Sequence, residues 1–93
     1  MFVGVLTVDL FLPGAASLKD RRRVLRGLLD RLRNRYNVAS AEVGGNGSWK
    51  AVTVGIVTIS NSAGHVERLL ARVLQYIEAI PEIEVTSHLL EVW

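Results

Sequence analysis

Hydrophobic and polar residues alternate along the first twelve positions and then change period. Phe2, Leu6, Val8, Leu10 and Leu12 share one face of a strand, while Val3, Val5, Thr7, Asp9 and Phe11 share the other. The strand ends at Pro13-Gly14, a turn signal. Ser17 then opens a helix, with Asp20 three residues on in the manner of a capping box. Leu18, Leu25, Leu28, Leu29, Leu32 and Tyr36 recur at helical spacing, with Val24 at the edge of the stripe and Asn37 as the expected C-cap. A short strand is predicted over Val38–Val43 and a hairpin turn over Gly44-Gly45-Asn46-Gly47, where glycines admit positive φ. Trp49–Ser60 reads as the strongest strand, with Val52, Val54 and Ile56 on one face and Val57 and Ile59 on the other. Asn61-Ser62 offers a second N-cap before an apolar stripe of Val66, Leu69, Leu70, Val73, Leu74 and Ile77. Pro81 separates this helix from a last strand, Ile83–Val92.

The order βαββαβ predicts an α+β, ferredoxin-like sandwich. Its four-stranded antiparallel sheet carries two helices on one face, with the two most apolar strands, the first and third, at the centre. No linker divides the chain, so residues 1–93 form a single ferredoxin-like domain. The second sheet face has no helix to cover Val3, Val5, Phe11, Val57 and Ile59, which predicts a homo-oligomer.

Composition sharpens this picture in three places. Hydrophobic residues make up 49% of the chain and the mean hydropathy is +0.28, more apolar than a small monomer needs. The absence of cysteine excludes disulfides and thiolate metal sites and fits a reducing compartment. Met1–Ala16 is apolar but lacks a basic start and is interrupted by Asp9, so it reads as a buried strand rather than a signal peptide. No run reaches the ~18 apolar residues of a membrane span.

Charge changes the picture most. Seven arginines lie between Arg21 and Arg35. Lys19–Arg35 carries eight basic residues against two acids, a balance of +6, while the remainder carries three against seven, a balance of −4. The net charge of +2 therefore conceals a polarised molecule, and a basic helix face most simply meets a polyanion. On a helical wheel Lys19, Arg22, Arg23, Arg26 and Arg33 point away from the leucine stripe, and Arg31 flanks it. Arg21 and Arg35 fall on the stripe at the two helix ends, where a long side chain can snorkel outward; Arg21 can also pair with Asp9 or Glu42 on the sheet. Asp30 is spaced to neutralise part of Arg26 and Arg33. A solvated, arginine-rich helix face of the kind heat-stable proteins use is the plainest account of this run. Against it, Arg21, Arg22 and Arg23 occupy the first turn and a half, where the helix dipole disfavours cations. An anion bound near Gly14–Ser17 and Arg21–Arg23 would relieve that repulsion. The candidate nucleic-acid or anion-binding residues are thus Lys19, Arg21, Arg22, Arg23, Arg26 and Arg33.

RNA, if bound, is expected along its backbone. The third strand, Ala51 to Val57, carries no aromatic platform, and Trp49 beside Lys50 more often packs on a helix end or subunit than on a base. Catalytic signals are weak. His65 and His88 stand at unrelated positions without cysteine, and Ser62 and Ser87 read as cap and turn residues. The glycine turn lacks the lysine and helix of a phosphate-binding loop. Small ferredoxin-like acyl-phosphate hydrolases place an arginine in the loop after the first strand, and Phe11–Ser17 has none. The chain is expected to be no enzyme, to hold no metal and to need no cofactor.

Three segments carry a resemblance. Val3-Gly4-Val5-Leu6-Thr7-Val8, the run from Pro13 through Ser17-Leu18-Lys19-Asp20-Arg21-Arg22-Arg23-Val24, and Arg31 through Asn37-Val38-Ala39-Ser40-Ala41-Glu42-Val43 resemble the YlxP family of bacterial proteins of unknown function. The similarity extends over nearly the whole chain. It implies a cytoplasmic ferredoxin-like protein of this length, whose genes often lie beside those for translation initiation and ribosome-binding factors. That implies a role near the ribosome and an RNA or ribosome partner, but the family has no established catalytic residues to transfer.

Overall fold

The computed structural model describes residues 1–45 and 48–93. The elements are β1 (Phe2–Phe11), α1 (Leu18–Arg35), β2 (Ala39–Gly44), β3 (Ala51–Ser60), α2 (Ala63–Glu78) and β4 (Glu84–Val92). The sheet runs β2-β3-β1-β4 with every neighbouring pair antiparallel. This is the ferredoxin-like order expected from the hydrophobic pattern. The two β-branched-rich strands, β1 and β3, pair at the centre from Phe2↔Ser60 to Phe11↔Ala51.

Period-2 burial divides the sheet. Leu6, Val8 and Leu10 of β1 and Val52, Val54 and Ile56 of β3 are buried on one face. They pack in one core with Val24, Leu25, Leu28 and Leu32 of α1 and Val66, Leu70, Val73 and Ile77 of α2, which puts both helices on that face. Each such buried side chain contributes about 1.5–3 kcal/mol. At Gly4 α2 approaches the strand closely: an added Cβ would stand 2.1 Å from Val66 Cγ1 and 2.8 Å from Leu70 Cδ1.

Several boundaries differ from the expectation, each for a tertiary reason. Leu18 is 46% exposed, because the first helical residue lines a surface cavity with Arg21, Trp49 and Ala51 outside the core. Phe2, at the outer end of β1, is likewise exposed. The helix ends at Tyr36, not Asn37, with extended backbone (φ −132°, ψ 150°). Side chains of neighbouring elements meet this end. The Tyr36 ring meets Tyr76 edge-on at 5.9 Å, the Arg35 guanidinium lies 4.6 Å over the Tyr76 ring, and buried Thr58 Oγ1 donates to Asn37 O at 2.8 Å. Trp49 and Lys50 form a turn rather than the start of β3. Of the predicted glycine turn, Gly44 ends β2, while Asn46 and Gly47 lie outside the described residues.

The open sheet face is mostly apolar at one end, where Glu91 opposite Val5 is the acid, and polar at the other. Val3 pairs with Ile59, Val5 with Val57, and Val3 exchanges two backbone hydrogen bonds with Trp93. Ile59, Leu89 and Trp93 are each more than half exposed. Toward the other end lie Asp9, Thr53 and Ser87, in register across β3, β1 and β4.

Candidate nucleic-acid interface on the first helix

Helix α1 starts from a capped end. Ser17 Oγ accepts from the Asp20 amide at 3.2 Å, and Asp20 Oδ2 accepts from the Ala16 amide at 3.1 Å. Two amide donors are thereby satisfied, and an acid sits where the helix dipole favours one. That carboxylate occupies the place expected for an external anion near Gly14–Ser17. The flanking arginines also diverge. Arg21, only 15% exposed, reaches down to β2 and pairs with both Glu42 oxygens. Arg23 turns toward Glu82 at 3.5 Å, in a cavity of about 220 Å³ shared with Gly14 and Asp20. Of the expected N-terminal anion site, Gly14 and Arg23 thus share one cavity, whereas Arg21 is drawn away to Glu42 on β2.

The rest of the basic set sorts by position along the helix. Arg33 Nη2 donates to Asp30 Oδ1 at 2.8 Å and Nη1 to the Ser40 carbonyl at 3.4 Å. Arg31 Nε donates to the Gly27 carbonyl at 3.2 Å. Lys19, Arg22 and Arg26 are exposed and make no hydrogen bond or ion pair among the described residues. They stand three and four residues apart, so they share one outward face over about two helical turns.

Between these cations the outer face is not smooth. A groove of about 560 Å³ is lined by Lys19, Arg22, Arg23 and Arg26, by Asp20 and Asp30, and by Gly27. Charge counting passes over Gly27; the signal that finds it is a glycine in the middle of an 18-residue helix. Glycine there costs about 1 kcal/mol relative to alanine. No packing demands it, since an added Cβ would meet only Arg31 Nη2, at 3.9 Å.

Both the sequence and this arrangement can be set beside known proteins. The family described as "Protein of unknown function (DUF503)" matches residues 3–89. The chain belongs to the DUF503 family. It is 37% identical over 84 residues to "Uncharacterized protein YlxP" of Bacillus subtilis (strain 168), covering 90% of this chain and 91% of that protein. The resemblance drawn from the Val3–Val8, Pro13–Val24 and Arg31–Val43 segments therefore holds over nearly the full length.

Elsewhere in this DUF503 chain, Trp49 is half exposed at the α1 end of the sheet. It shares a cavity of about 300 Å³ with Leu18, Arg21 and Glu42. His65 lies in the first turn of α2, where its amide donates to the Ser62 cap at 3.2 Å, and His88 lies exposed on edge strand β4. Among the described residues no group of three or more His, Asp or Glu side chains is placed to hold a metal ion, and no helix is long and apolar enough to cross a membrane.

Asp9 anchors the polar end of the open sheet face. Ser87 Oγ donates to Oδ2 and Thr53 Oγ1 to Oδ1, both at 2.6 Å. The Ser87 and then the Thr53 hydrogen bond hold its carboxyl below the ordinary value, against a smaller opposing effect of desolvation. A carboxyl depressed in the folded state adds stability above its unfolded pKa, and that stability is lost as pH falls through the folded value. Acid unfolding should therefore include an Asp9 component below about pH 4. In thermal melts across that range, Asp9→Asn should flatten the acid limb; an unchanged limb would remove Asp9 from the account.

Proposed function

We propose that this DUF503 protein is a cytoplasmic, non-enzymatic RNA- or ribosome-associated factor that binds the phosphate backbone through the outer face of α1. The observation that carries this reading is that Lys19, Arg22 and Arg26 stand exposed and unpaired on one rigid face. Arg22 lies near the positive end of the helix, where folding stability by itself would favour an acid. Arg23, whose pair with Glu82 is long and solvent-exposed, adds a fourth cation at low cost. Arg21 supports the face from behind through Glu42, and Arg33 takes part only by exchanging Asp30 for a phosphate. Four phosphate contacts imply that log affinity for RNA falls with log salt at a slope of about −3 to −4. Fluorescence anisotropy across a salt series measures it. Binding that persists in molar salt, or no binding at low salt, would reject the reading.

A second reading has its own observation: exposed Ile59 and Trp93 flank Val3 at one end of the open sheet face, with exposed Leu89 opposite Thr7 nearer the middle and a single acid, Glu91, opposite Val5. We infer self-association there, giving a homo-oligomer whose contact avoids the Asp9 end. Asp9 and Glu84 of two apposed faces would otherwise meet with no basic side chain between them. Light scattering should report more than a monomer at micromolar concentration, and Ile59→Glu should dissociate it. A monomer at high concentration overturns this reading without touching the first.

A further inference from the structure

The Gly27 groove says more about the ligand than its charge does. Arg23 lies one turn before Gly27 and Asp30 one turn after it, with Arg26 alongside, so cations, an open floor and a carboxylate follow one another along one groove wall. Phosphate binding alone accounts for the arginines. It does not account for a glycine that weakens the helix, nor for a carboxylate kept beside the cations. Asp30 gives Oδ1 to Arg33, and its Oδ2 accepts nothing among the described residues. A carboxylate oxygen beside a phosphate-binding cation suits a sugar hydroxyl, the pairing by which acidic side chains select ribose. Resting on the phosphate-backbone reading above, we propose that Gly27 is the floor of a ribose seat. The flanking phosphates lie on Arg22, Arg23 and Arg26, and Asp30 Oδ2 accepts the hydrogen bond of the 2′-hydroxyl. The site then takes RNA in preference to DNA, because only RNA supplies that donor. A methyl group at residue 27 fits the protein but stands on the floor of the groove, where the sugar must approach.

Three short oligonucleotides of one sequence test this: RNA, DNA and 2′-O-methyl RNA, each titrated against the wild-type chain, Gly27→Ala and Asp30→Ala. The wild type should favour RNA over both others by about threefold to tenfold, the worth of one such hydrogen bond. Asp30→Ala removes a negative charge together with the 2′-hydroxyl hydrogen bond, so DNA and 2′-O-methyl RNA should bind at least as tightly as to the wild type while the preference for RNA falls toward one. Gly27→Ala should raise Tm by about 3–6 °C and still weaken RNA binding about threefold to tenfold. A wild type indifferent to the sugar, or variants that keep the full preference, would overturn the ribose seat. If RNA binding remained sensitive to Arg22→Glu in that case, the phosphate reading would stand alone. Insensitivity to Arg22→Glu would remove both.

Discussion

The Arg22→Glu/Arg26→Glu variant is expected to lose roughly 100-fold in RNA affinity at low salt, about tenfold for each reversed charge. The two guanidinium groups sit one helical turn apart on the exposed face and make no hydrogen bond or ion pair among the described residues, so their reversal should leave Tm nearly unchanged. The loss should fall alike on all sequences, because phosphate contacts position a nucleic acid without reading it. With two of four contacts gone, the salt slope should shrink to about −1.5 to −2. Glu82→Lys and Glu84→Lys, near the start of β4, should weaken nothing; releasing Arg23 from Glu82 should, if anything, tighten binding. Anisotropy titrations with the four proteins at several salt concentrations check every part. Equal affinity of the double variant and the wild type would return the basic face to a solvated surface.

Gly4→Ala is expected to destabilise the protein by about 2–3 kcal/mol, lowering Tm by about 10–20 °C. The new methyl would lie 2.1 Å from Val66 Cγ1 and 2.8 Å from Leu70 Cδ1, both on fully buried side chains of α2. Neither is the free end of a flexible chain, so α2 must lift from β1 or the strand must bend, and contacts between α2 and the sheet are lost along with it. Gly4→Ala and Gly27→Ala thus change the same atom with opposite signs, because one glycine lies beneath a helix and the other faces water. Paired thermal melts measure the contrast. A neutral Gly4→Ala would mean that α2 packs more loosely on β1 than the core geometry requires.

Much of this fold is legible in the residue pattern. Alternation over Phe2–Leu12 and Val52–Ile59, and helical spacing over Leu25–Leu32 and Val66–Ile77, each bury one face of their element, and two helices laid on one sheet face hide all four together. The core residues that escape this reading are Ala15 and Ile80. They lie in connections without period, and backbone hydrogen bonds from Ala15 to Leu12 and Ile80 to Ile77 turn them inward; Ile83, expected to open the last strand, is buried just before β4 begins at Glu84. Leu18 and the Tyr36 end depart from the pattern for a related reason: periodicity extends a helix face indefinitely, but a sheet of finite width covers only its middle.

For the candidate site, the chain itself determines that eight basic residues follow one another on one helix, with six of them off or flanking its leucine stripe. Which of them remain available is decided only by the tertiary structure. Glu42 on β2 and Glu82 before β4 are 21 and 59 residues from the arginines they reach, and no local spacing rule pairs them. Folding brings those carboxylates to Arg21 and Arg23, and leaves Lys19, Arg22 and Arg26 facing solvent above Gly27. Sequence fixes charge along a helix because side-chain direction repeats with the backbone; partners across a sheet depend on register and layer, which exist only once the chain is folded.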